Sequence, residues 1–84
     1  MDIEKIKKDL LDYLSPDEYY INNYNNHLCI IIIKDSFINL NILERQQEVY
    51  KPLFKYIKSN IIHSVSITTY TKNEWKDYNN KKNN

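Results

Sequence analysis

Not one of the 84 residues is glycine. Every turn that needs a positive φ must therefore be made by a residue carrying a Cβ, and asparagine is the one that tolerates this region best. Asn22, Asn23, Asn25 and Asn26, clustered between two apolar stretches, are the expected turn formers. A coding bias toward asparagine explains the enrichment equally well. The missing glycine also excludes functions. A phosphate-cradling loop, a dinucleotide-binding turn and the glycine-rich clamp of some RNA-binding domains all require backbone that only glycine supplies.

A chain of this length builds one small domain around a single core. The formal net charge is +1, with both signs spread along the sequence, so no electrostatic bias toward nucleic acid or anionic membrane is present. One cysteine and two histidines cannot form a disulfide framework or a four-ligand zinc site from within the chain, which fits a reducing compartment. The longest apolar run, residues 28–33, is too short to span a bilayer, and the N-terminus carries acids rather than a basic, apolar leader. The expectation is a soluble, intracellular and unprocessed protein, placed in the cytoplasm because no leader is visible.

Residues 2–14 place Ile3, Ile6, Leu10 and Leu14 at helical spacing with charges between. Ser15, Pro16 and Asp17 interrupt the pattern, and residues 18–24 read as a strand. After the asparagine turn, residues 27–34 hold four consecutive isoleucines, the pattern of a strand central in its sheet. Helical spacing returns over residues 41–59 at Ile42, Val49, Leu53 and Ile57, flanked by Leu43, Tyr50 and Phe54. Pro52 is expected to kink that helix or divide it in two. Residues 61–70 form the third strand, and Thr71 with Glu74 has capping-box spacing, which predicts a short helix over residues 72–78. The domain is then residues 1–78, with a disordered tail over 79–84.

This order predicts an α+β fold, a small three-stranded mixed sheet covered by helices in the order α-β-β-α(α)-β-α. Strands joined by a helical crossover run parallel with a right-handed connection, so strands two and three begin at the same edge of the sheet. His27 heads one and His63 the other. Both imidazoles should emerge on one rim.

Phe37, Leu43-Glu44-Arg45, Tyr50, Ile62-His63-Ser64-Val65-Ser66 and the segment from Thr71 to Trp75 fall in the order and spacing of the BolA family. The resemblance covers nearly the whole chain and is nearest the family's cytosolic and nuclear branch. It implies a class II KH-like fold without the glycine loop, and a partnership with a monothiol glutaredoxin in iron-sulfur or iron handling. In such heterodimers a [2Fe-2S] cluster is bridged by the glutaredoxin cysteine, a glutathione thiol, the strand-three histidine and a second ligand from the loop between strands one and two. His63 matches the first of these protein ligands. The sequence departs from the family pattern at Asn39, which stands where the family has a turn glycine, and at Gln46 and Gln47, which replace His-Arg. Residues 22–26 contain no cysteine or histidine to serve as second ligand, which leaves His27 and Cys29.

Residue chemistry taken alone makes His63 a strand-end histidine that caps the core with a hydrogen bond; the resemblance makes it a cluster ligand. His27 reads as a turn cap or a ligand, and ranks ahead of Cys29, whose place inside the isoleucine strand suits a buried, inert thiol. Arg45 reads either as recognition of a glutaredoxin surface or glutathione carboxylate, or as part of a solvated face. Trp75 reads as packing for the terminal helix or as a partner anchor. No nucleophile with a base and no paired carboxylates are evident, so no enzyme is expected. The expectation is a protein that is monomeric alone and heterodimeric with glutaredoxin. The rival readings are a nucleic-acid-binding regulator and a metal-free interaction domain.

Overall fold

The computed structural model describes residues 1–82. Helix α1, Ile3–Leu14, is capped by the Asp2 carboxylate accepting from the Lys5 backbone N–H at 3.2 Å, and it buries Ile6, Leu10 and Leu14. It ends at Ser15, which adopts left-handed φ 44° and donates its N–H to the Leu11 carbonyl at 2.8 Å. Elsewhere this position is usually glycine; here serine fills it.

Strands β1, Glu18–Tyr24, and β2, His27–Ile33, form the expected antiparallel hairpin, in register from Glu18 opposite Ile33 to Tyr24 opposite His27. The whole turn is Asn25-Asn26, with φ of 50° and 63°. Two successive left-handed residues match the twist of the flanking strands and give the favoured two-residue hairpin. Asn22 and Asn23 are not turn formers: they lie in β1 opposite Cys29 and Leu28, because the two-residue turn leaves them inside the ladder.

A short 3-10 helix, Asp35–Asn39, leads to α2, Ile42–Lys58, which opens with a complete capping box between Asn41 and Glu44. Pro52 does not divide α2. The proline removes one hydrogen bond at a cost of about 3 kcal/mol. Val49, Leu53 and Tyr56, buried on either side of it, each contribute roughly 1.5–3 kcal/mol by burial and keep the helix whole. Ile42, expected to face the core, is exposed.

Strand β3, Ser64–Tyr70, runs parallel to β2 and starts three residues later than expected. The N–H groups of Ile61 and Ile62 both donate to the Tyr56 carbonyl, closing the end of α2, and β2 has no residue beyond His27 for them to pair with. Helix α3, Lys72–Lys82, outlasts its expected end at residue 78. The tail anticipated from Asn79 is thus helical through Lys82, with Lys81 and Lys82 placed to complement the helix dipole; residues 83–84 lie outside the described residues.

The sheet order is β1-β2-β3. Leu28, Ile30 and Ile32 face α1 and α2, and with Ile6, Leu10, Leu14, Val49 and Leu53 they make the core. Trp75 of α3 lies on the opposite face, 5.5 Å from Tyr20 of β1 and 5.2 Å from Tyr70 of β3, and so reaches across β2. The rest of that face has no helix over it.

Candidate functional site

The parallel register sets His27 directly beside Ser64, so the residue just ahead of β3, His63, lies at the same end of the sheet as His27. His63 is exposed. It belongs to the connection from α2 rather than to the strand, which frees its ring from the core-capping role open to a strand-head histidine.

His27 is held differently. Its Nδ1 is 2.7 Å from Ser64 Oγ and its Nε2 is 2.7 Å from Ser66 Oγ, so the ring lies along β3 with both nitrogens engaged. A hydroxyl both donates and accepts, and therefore satisfies either tautomer of the imidazole. Metal ligation by His27 requires one serine to let go. The signal for this clamp is present in the sequence: Ser64, Ser66 and Thr68 alternate on one face of β3, opposite His27, Cys29 and Ile31. What the sequence lacks is the pairing that brings these segments together.

Cys29 is half-buried on the helix-free face, beside Ser66 and opposite Asn22. It is less enclosed than a thiol on the core side of an isoleucine strand would be. Among the described residues, no three or more of His, Cys, Asp and Glu gather closely enough to hold a metal ion. The strand residues of the helix-free face include no lysine or arginine.

A model of the family described as BolA-like protein matches residues 12–74. The chain belongs to the BolA-like family. The acid stress protein IbaG of Escherichia coli is 36% identical over 75 residues, 89% of each chain. Among solved structures, BolA1 from Arabidopsis thaliana superposes with a TM-score of 0.75 at 23% identity, covering 84% of this chain and 92% of its own. Yeast Fra2 gives 0.68 at 18% identity, with 89% and 84% covered. At such identities the structures establish the BolA-like fold. The cytosolic and nuclear branch of the family receives no support from these matches.

In this BolA-like domain Arg45 is buried and not part of a solvated face. It is 5% exposed. Its Nε donates to the Phe37 and Leu40 carbonyls, both at 3.0 Å, and its Nη1 and Nη2 donate to the Glu74 carboxylate at 2.6 and 3.3 Å. Arg45 shares the inner face of α2 with Val49, Leu53 and Tyr56, so the guanidinium turns inward and ties the 3-10 helix to the start of α3. Glu74 also accepts from the Thr71 N–H at 2.9 Å and donates its own N–H to Thr71 Oγ1 at 3.2 Å, completing the expected capping box. The Arg45 hydrogen bond, then the Thr71 N–H, hold the Glu74 carboxyl below the usual carboxylate range. Trp75, half-buried among Tyr20, Tyr70 and Tyr78, fastens α3 to the sheet.

Proposed function

We propose that the protein is a non-catalytic adaptor that binds a monothiol glutaredoxin and shares a bridging [2Fe-2S] cluster with it and with glutathione, in iron-sulfur trafficking or iron regulation in the cytoplasm. His63 supplies the nitrogen ligand. One observation carries this reading: of the two imidazoles at the rim, His27 is tied to two serines and His63 is exposed, so a partner's cluster meets His63 without breaking any bond of the fold. Imidazole ligation makes a cluster less strongly held than four thiolates and sensitive to protonation, properties that suit transfer. The two-asparagine turn offers no soft ligand, so the second ligand is His27, once a serine is released, or Cys29 on the same face.

The test mixes the full chain with a cluster-loaded monothiol glutaredoxin and glutathione and follows visible absorption and circular dichroism. The spectrum should change on mixing, and His63→Ala should abolish the change while far-ultraviolet dichroism stays native. A change that survives His63→Ala removes His63 from the mechanism. Comparing His27→Ala with Cys29→Ala then identifies the second ligand.

A further inference from the structure

The outer side of α2 carries a feature that the cluster-sharing reading leaves unused. Leu43, Gln47, Tyr50 and Phe54 recur at steps of four, three and four, and so fall within about 60° of the helix circumference, turned away from the buried face by about 135°. Leu43 is 63% exposed, Tyr50 38% and Phe54 61%. Gln47, Tyr50, Lys51 and Phe54 line a shallow surface cleft of about 470 Å³. The spacing is that of a coiled-coil seam, yet no other element of the described fold covers it.

We propose that this seam is the contact surface for a second copy of the chain, with the two α2 helices packed antiparallel about a two-fold axis between Glu48 and Val49. The pattern is self-complementary in that direction. Leu43 meets Phe54 of the second copy, and Gln47 meets Tyr50, whose hydroxyl gives the one polar seam residue a hydrogen-bonding partner. Charge selects the same order. The flank beside the seam carries Glu44 near the helix start and Lys51 and Lys58 toward its end, so antiparallel packing, in which equivalent flanks face one another, brings Glu44 of each copy to Lys51 of the other, whereas parallel packing puts the two flanks on opposite sides of the seam and forms no such pair. Lys51 already pairs with Glu48 at 2.8 Å, but that pair is exposed and easily exchanged. A seam of three turns makes a small interface, so the dimer belongs to the weak, concentration-dependent class. This assignment departs from the monomer expected from sequence. It does not depend on His63: the C-terminal ends of the two α2 helices lie about 30 Å apart along the axis, so each rim stays free for its own partner.

Sedimentation equilibrium of the full chain from about 10 µM to about 1 mM tests it. The weight-average mass should climb from one chain toward two. Phe54→Asp should shift the midpoint to at least tenfold higher concentration with unchanged far-ultraviolet dichroism, and Leu43→Asp should act alike. Lys51→Glu should weaken association, and adding Glu44→Lys should restore it. A one-chain mass throughout, or a dimer that Phe54→Asp leaves intact, overturns the proposal. Failure of the double charge exchange to restore association in folded protein overturns the antiparallel order.

Discussion

The two ends of the parallel pair β2 and β3 are built from opposite materials. At the end where both strands finish, Lys34 donates to the Tyr70 carbonyl, Asp35 accepts from the Lys72 N–H, Arg45 grips Glu74 and two carbonyls, and Trp75 packs on Tyr70 and Tyr20. At the end where they begin, there are a two-residue asparagine turn, one imidazole held by two serines, and His63 in solvent. The closed end joins α2, α3 and the 3-10 helix by contacts between segments far apart in sequence, so it secures the topology. At the open end His27 alone makes such a tie, to Ser64 and Ser66, and the exposed His63 is spared that task. A surface used to meet a partner can then change without threatening the fold.

The contrast breaks most sharply at Arg45. Arg45→Ala should lower the free energy of unfolding by about 3 kcal/mol in urea titration, at the low end for a broken buried pair because Glu74 is partly solvated. Arg45→Lys should recover only part of this, since an ammonium cannot span the carboxylate and both carbonyls. Next comes acid. Glu74 is depressed in the fold relative to its ordinary 4.5, so the stability it contributes is present above about that pH and is lost as pH falls through the lower, folded value. Stability measured from pH 6 down to pH 3 should fall, and in Glu74→Gln the fall should be shallower.

Legibility follows the same division of near and far. Local period alone located α1, both strands of the hairpin and the Thr71–Glu74 box, because each depends on residues within one or two turns of each other. Pro52 misled because local backbone chemistry argues for a break while burial of Val49, Leu53 and Tyr56 argues against it, and burial depends on elements far along the chain. Arg45 was misread as surface for the same reason: its partner stands 29 residues away. The rim was legible in topology, since the crossover alone aligns His27 with the start of β3. It was not legible in detail, because the serines that occupy His27 sit 37 and 39 residues from it.

At the open end the effect expected at the turn is smaller than at Arg45. Asn26 holds φ 63° without the freedom of glycine. Asn26→Ala should cost about 1 kcal/mol, because alanine has no amide to offset the crowding of its Cβ in the left-handed region. Asn26→Gly should be neutral or slightly stabilising, since relief of that crowding competes with the greater entropy of the unfolded chain. A larger loss in Asn26→Gly would mean that the asparagine side chain, and not its backbone conformation, is what the hairpin uses.

His63 should give the smallest effect of all. An exposed side chain outside the ladder contributes little to folding, so His63→Ala should change the free energy of unfolding by less than about 0.5 kcal/mol. His27→Ala is the natural control at the same rim, since it removes two hydrogen bonds to β3, each worth roughly 0.5–1.5 kcal/mol net. The difference between the two histidines is therefore the quantity to measure, by urea titration of both variants under identical conditions. If His63→Ala destabilises as much as His27→Ala, the exposed imidazole is part of the scaffold, and the division between an end that holds and an end proposed to meet a partner is lost.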